Sequence, residues 1–365
     1  MYSQLLLAPN AFKGTLSAPE ICRILQEELS GTHYSTLSIP LGDGGDGTAE
    51  ILASFLNARE IETQAEDALG RLHPVKYYVT SRMAILELAA ICGLKYLHPE
   101  EYDVENTNTA GVGRVINEVV NRGIREIVLC IGGSASIDGG TGALEAMGLK
   151  IVKHASQFRN HILDIEKIEA DELKYKFKDI SLTILCDVEN PLLGNQGAAR
   201  IFGPQKGASG LQVSTLEERM KAYAHLLQEA TGKDVTTVKH GGAAGGIAAA
   251  FSALLDARLI SGADYCLNLS GFKELLNTST LVITGEGKLD KQSLWGKIPG
   301  TVARLCQSAH TDVVAITGIA EDAPDIFKKV FSLSHYAGNS AASLLQPEFF
   351  LRMAARELKK LYLTF

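Results

Sequence analysis

The sequence predicts an α/β fold with mainly parallel sheets, on three observations. Short β-rich apolar runs, each ending in glycine or a polar turn, recur from "QLLLAP" near the N-terminus to "DVVAITG" near the C-terminus. Helical periodicity follows several of them, and strand, turn and helix in alternation are the pattern of parallel α/β sheets. Glycine is in excess, 35 of 365 residues against a roughly 7% average, and the excess clusters in the turns, where a backbone can approach a ligand closely.

The elements follow in order. After "QLLLAP", the segment "SAPEICRILQEEL" opens on Ser17 with Glu20 three residues on, a capping box, and puts Ile21, Ile24 and Leu25 on one face. "STLSIP" is the second strand. Leu69–Ala89, "LGRLHPVKYYVTSRMAILELA", reads as consecutive strands, an antiparallel excursion. "TAGVGRVINEVVNRG" spaces Val112, Val115, Ile116 and Val119 as a helix and stops at Gly123. "REIVLCIGG" and "LTILCDV" are strands. The polar stretch Lys153–Ser181 between them predicts surface helices. "GGAAGGIAAAFSALL" (Gly241–Leu255) predicts a closely packed buried helix, and "TLVITGEG" and "DVVAITG" are the last strands. The expected division is one discontinuous α/β domain from residues 1–66 and 275–365 around an inserted α/β domain, 67–274.

Composition narrows the function classes. Hydrophobic residues make up 46% and charged residues 21%, as in a globular protein with a full core. A net charge of −7 without a basic face argues against nucleic acid, and no polybasic run suggests a membrane surface. The N-terminal "MYSQLLLAPN" lacks a charged n-region and a cleavage site and reads as a strand. Gly241–Leu255 is too short and glycine-rich to span a bilayer. None of the six cysteines forms a CxxC pair, and most lie in apolar runs; core thiols and a cytoplasmic location are expected.

The chemistry sits in the glycine turns. "PLGDGGDGT" (Pro40–Thr48) matches a dinucleotide fingerprint in its glycines, but a pyrophosphate there would meet Asp43 and Asp46. Carboxylates in an open turn suit a Mg²⁺ ion or a substrate hydroxyl awaiting deprotonation; the plainer alternative is that one or both cap the helix starting near Thr48. "CIGGSASIDGGTG" (Cys130–Gly142) offers backbone amides, two serines and Asp138 before a helix, an anion-binding arrangement. "CDVENPLLGNQGAARIFGPQKGAS" places Asp187 at a strand end, with Arg200 and Lys206 among glycines. "VITGEGKLDKQSLWGK" combines Glu286, Lys288, Asp290 and Lys297 after a strand. Carboxylates and lysines recurring at strand-end turns are what phosphoryl transfer needs. Walker A, protein-kinase, GxSxG and HExxH motifs are all absent. The residues alone imply an α/β enzyme for an anionic, phosphorylated ligand with Mg²⁺.

Seven long blocks, in order and spanning nearly the whole chain, resemble the bacterial glycerate kinase family of the glycerate 2-kinase type: "APNAFKGTLSAPE", "PLGDGGDGTAE", "LGRLHPV", "IGGSASIDGGTGALEAMG", "CDVENPLLGNQGAARIFGPQKGAS", "GGAAGGIAAAFSALLDARLISGAD" and "VITGEGKLDKQSLWGKIPGTVA". The resemblance implies ATP-dependent phosphorylation of D-glycerate, usually at the 2-hydroxyl, with Mg²⁺. It implies two α/β domains, one flavodoxin-like with a parallel sheet, and an active-site cleft between them; a homodimer is left open. Carried over, Lys13 contacts phosphate or the glycerate carboxylate, and Arg71 is a second candidate for that carboxylate. Ser134 and Asp138, with the amides of Gly132 and Gly133, bind phosphate or metal, and Lys206 contacts substrate. Asp187 with Asn190 is the hydroxyl-activating pair, with Asp43 an equal candidate base. Glu286 and Lys288 hold the nucleotide and Asp290 the metal. The chain departs from the family pattern at Asn10, where a carboxylate is usual, and at Ala11, Asp46, Ala110 and Ile137. Those departures keep open a kinase for another small hydroxy acid, or a non-catalytic ligand-binding relative.

Overall fold

A computed structural model describes residues 3–154, 158–290, 297–322 and 325–363. The chain divides into two compact units: Met1–Asp43 with Gly262–Phe365, and Gly44–Ser261. Residues 44–66, expected in the first domain, belong to the second, because the strand Arg59–Glu66 pairs antiparallel with Leu72–Val79. At the return, Gly262–Leu269 and Phe272–Leu276 are helices of the first unit.

The first unit is built on five parallel strands, Ser3–Pro9, Tyr34–Ser38, Ser279–Gly285, Asp312–Thr317 and Lys329–Ser332. Numbered in chain order within the unit, their spatial order is 2-1-3-4-5, the flavodoxin-like order. The three inner strands, Ser3–Pro9, Ser279–Gly285 and Asp312–Thr317, bury both faces, which is why they read as apolar runs. On one face Leu5, Leu7, Leu281, Ile283, Val314 and Ile316 join a core with the helices Ala18–Leu29 and Pro347–Tyr362. The opposite face, with Leu6, Val282 and Ala315, is fully buried too, and the helix Ile298–Ser308 packs against three of the strands. The expected capping box is present: Ser17 N–H donates to Glu20 Oε2 at 2.8 Å, and Glu20 N–H to Ser17 Oγ at 3.4 Å.

The second unit has a six-stranded sheet, in spatial order Arg258–Ser261, Ser181–Cys186, Glu126–Cys130, Met83–Glu87, Leu72–Val79, Arg59–Glu66. The first four are parallel; Leu72–Val79 runs antiparallel to both of its neighbours, the excursion expected over 69–89. The helix Ala110–Asn121 buries Val112, Val115, Ile116 and Val119, and Ile247–Leu255 is a helix with Ala248–Phe251 fully buried. The reading of Lys153–Ser181 as surface helices is corrected. Its structure is a strand pairing, Lys150–Lys153 against Ile165–Glu169, a short turn of helix at His161–Leu163, and one helix, Asp171–Phe177. Ile162, Ile165, Ile168, Leu173 and Phe177 are buried, so the charges outline one solvated face over an anchored one. All six cysteines are buried free thiols. Burial pushes the thiols of Cys22, Cys266 and Cys306 up to about 12, so they stay protonated and inert. No helix among the described residues is long and apolar enough to cross a membrane.

Candidate active site

In a doubly wound sheet, neighbouring connections leave in opposite directions where the strand order reverses, and the loops there part into a crevice at the carboxyl ends. In the first unit this point lies between Ser3–Pro9 and Ser279–Gly285, which pair side by side up to Pro9 and Gly285. The loops leaving them are Asn10–Thr15 and Glu286–Lys288. They line a cavity of about 280 Å³ together with Asp43, Gly318, Ile319 and Leu333, which follow the ends of the other strands. Lys13, Lys288 and Lys297 bring positive charge, Asp43 and Glu286 negative charge, and Phe12, Ile319, Leu333 and Leu344 an apolar wall.

Hydrogen bonds fix these loops. Phe12 N–H donates to Leu16 O at 2.8 Å and Thr15 N–H to Phe12 O at 2.9 Å, a tight turn that leaves Lys13 exposed. Thr317 Oγ1 donates to Glu286 O at 2.8 Å, and Ile319 N–H to Gly287 O at 2.9 Å. Glu286 is buried, with Lys297 Nζ 3.9 Å from its Oε2. Asp43 is buried and accepts at Oδ2 from Asn10 Nδ2 at 3.1 Å. Lys288 pairs with Glu321 at 2.8 Å. Asp290 follows in the same segment, half-buried and outside the cavity lining. Residues 291–296 of that motif lie outside the described residues. Four residues expected at the site from the sequence, Lys13, Asp43, Glu286 and Lys288, thus surround one cavity. Asn10, which the sequence marked only as a departure, and Lys297 join them.

The second unit gathers another set at the carboxyl ends of its parallel strands. Gly132 and Gly133 follow Glu126–Cys130, and Asp187 follows Ser181–Cys186. Gly132 N–H donates to Gly44 O at 2.9 Å. A Cβ on Gly132 would lie 2.7 Å from Gly45 Cα and 2.9 Å from Asp187 Oδ2, so only glycine fits there. Gly44 is equally constrained: its φ is +98°, and a Cβ would meet Leu185 O at 2.8 Å. Ser134 Oγ accepts from Lys206 Nζ at 2.7 Å, and Ser136 O accepts from the same nitrogen at 2.7 Å. Lys206 is only 3% exposed. Burial pulls its ammonium down to about 7, against the opposing charges of Asp138 and Asp187.

Asp138, expected at a metal or phosphate, has other work. Its Oδ2 accepts from Thr109 N at 2.9 Å, Thr109 Oγ1 at 2.8 Å and Gly142 N at 3.2 Å; its Oδ1 accepts from Ser136 Oγ at 2.9 Å and Gly140 N at 3.3 Å. Five donors occupy a carboxylate with about four lone-pair sites. It ties the Gly132–Gly142 loop to the start of the helix Ala110–Asn121, and does not fit a metal. Asn190 donates its Nδ2 to Gln196 O at 2.8 Å, a bond that holds its own loop. Arg71 is spoken for: Nε donates to Asp67 at 2.6 Å and a terminal nitrogen to Glu101 at 2.5 Å. Neither aspartate of the "GDGGDG" turn caps the next helix. Gly47 is the N-cap, without a side-chain bond, and Asp46 pairs with Lys95 at 2.5 Å. Glu87, missed in the sequence because it ends an apolar strand, accepts from Ala49 N at 3.2 Å. Burial, with the Asp46 charge, pushes its carboxyl up to about 7.

Comparison with known proteins shows the family. The glycerate kinase family model matches residues 5–363. A glycerate 2-kinase of Escherichia coli (strain K12) is 34% identical over 329 residues, 87% of this chain and 86% of the relative. A glycerate kinase of Halalkalibacterium halodurans is 30% identical over 97% of both chains. A crystal structure described as glycerate kinase 2 from Salmonella typhimurium LT2 superposes with a TM-score of 0.80 at 29% identity, covering 99% of this chain and 98% of that one. The family model over residues 5–363, and relatives 30–34% identical over most of the chain, place it in the glycerate kinase family, whose members are kinases acting on a glycerate hydroxyl.

Proposed function

We propose that the protein transfers the γ-phosphoryl group of ATP, with Mg²⁺, to the 2-hydroxyl of D-glycerate. The observation that carries this reading is the cavity at the switch point of the first unit, where three lysines and two carboxylates meet an apolar wall. Phosphoryl transfer asks the protein mainly to position its reactants and neutralise charge. Lys13, Lys288 and Lys297 supply cationic charge for phosphate and carboxylate oxygens. Asp43 is a candidate general base for the acceptor hydroxyl. Asp187, half-buried at a strand end of the second unit, is the other.

Among the described residues, no group of three or more His, Cys, Asp and Glu side chains is placed to hold a metal ion. Mg²⁺ is ordinarily bound by one or two carboxylates plus the phosphates it accompanies. Glu286 on the cavity lining, with Asp290 in the same segment, fits that modest requirement. When bound, the ion neutralises charge on the phosphate oxygens. The relative named as a glycerate 2-kinase supports the 2-position, and the lysine-rich cavity supports a nucleotide phosphate donor. Coupled measurement of ADP release with D-glycerate, tartronate, lactate and erythronate in parallel tests the reading. Turnover is expected with Mg-ATP and D-glycerate; rates at background with D-glycerate would remove it, and a faster rate with another acid would reassign the substrate.

A further inference from the structure

Asn10 lies where the first strand of the switch point ends. Its backbone N–H donates to Gly285 O at 2.8 Å, so its main chain is fixed to the end of the neighbouring strand. Its side chain is equally fixed. Ala11 N–H donates to Asn10 Oδ1 at 2.8 Å, and Asn10 Nδ2 donates to Asp43 Oδ2 at 3.1 Å. These two bonds decide which end of the amide faces which partner. A backbone N–H can only donate and an ionised carboxylate can only accept, so the reversed amide would lose both bonds. Asn10 is 5% exposed and Asp43 7%, and both line the cavity. Buried bonds to a charged acceptor are stronger than their exposed counterparts.

We propose that Asn10 is a positioning residue for Asp43, setting the plane of its carboxylate toward the acceptor hydroxyl. The inference rests on the glycerate kinase reading and on Asp43 acting in it. A carboxylate at position 10 would face Asp43 with a like charge and would need a proton or a cation between them. The amide needs neither, so Asp43 is oriented before any ligand arrives. Because the chemical step is sensitive to placement, the contribution belongs in kcat rather than in substrate binding.

The test is a double-mutant cycle in the full-length enzyme, with kcat, both KM values and thermal midpoint measured for each protein. Asn10→Leu keeps the shape and removes the donor; Asn10→Ala is the second variant should the leucine disturb folding. Either change is expected to lower kcat about 10- to 100-fold, since a 1 Å misplacement can cost 10²-fold, with KM within about threefold. In an Asp43→Asn background the same change is expected to add less than about twofold, because residues acting through one another are not additive. A parental kcat in both variants overturns the proposal, as does a loss that multiplies in the Asp43→Asn background, or Asp43→Asn itself turning over at the parental rate. The parental rate with D-glycerate separates this from the functional reading: its absence sinks that reading, whereas normal turnover with unaffected Asn10 variants sinks only the positioning role.

Discussion

Asp43 and Asp138 are both buried aspartates in glycine turns, yet their surroundings separate them. Asp138 spends its oxygens on five protein donors, while Asp43 lines a cavity beside lysines. Replacing each by asparagine therefore has different consequences. Asp43→Asn is expected to lower kcat by about 10²–10⁴ if it is the base, with glycerate binding retained. Asp187→Asn, measured beside it, decides between the two candidates, and the base is the one whose loss falls in kcat. Asp138→Asn turns an acceptor into a donor facing N–H and O–H groups. The expected cost is about 1–3 kcal/mol of stability, read as a lowered urea midpoint; an unchanged midpoint would contradict the structural role.

At the scale of elements, the strands were legible because parallel strands covered on both faces must be apolar throughout, as in "EIVLC" and "DVVAIT". The helix Ala18–Leu29 was legible because its start signal is local: Ser17 and Glu20 are three residues apart. The strand Ile165–Glu169 was not. Its sequence "IEKIE" is short and charged, and the pairing with Lys150–Lys153 that makes it a strand is set by tertiary contacts. The unit boundary was missed for a related reason, since it falls inside the "GDGGDG" turn, at Asp43 and Gly44. Of the site, the residue types and loops could be read, but not their partners. Thr109 and Asp138 are 29 positions apart, Lys206 and Ser134 are 72 apart, and no local pattern reports such pairings. Gly44 shows what the turn demands. Gly44→Ala puts a methyl group against Leu185 O with φ at +98°, and the strain is expected to cost roughly 1–3 kcal/mol or more. Chemical unfolding checks this, and a parental midpoint would contradict the described turn.

For the molecule as a whole, two buried groups of the second unit make stability depend on pH in opposite senses. Glu87 titrates near 7 when folded against 4.5 for the ordinary group. The folded state therefore holds more protons between those values, and stability falls as pH rises from 4.5 to 7. Lys206 titrates near 7 when folded against 10.5. The unfolded chain there holds more protons, so stability rises as pH increases from 7 to 10.5. Urea unfolding across pH 5–10 is expected to show Glu87→Gln flattening the acid side and Lys206→Met the alkaline side. Variant curves running parallel to the parent would contradict both burial arguments.

We propose that this member of the glycerate kinase family, with its charged cavity at a sheet switch point, phosphorylates D-glycerate at the 2-hydroxyl. The most direct test follows ADP and the organic product together in one reaction with Mg-ATP and D-glycerate, the product identified by NMR. 2-Phosphoglycerate is expected to accumulate in equal amount with ADP. ADP release that does not depend on glycerate, or a phosphoglycerate carrying its phosphate elsewhere, would contradict it.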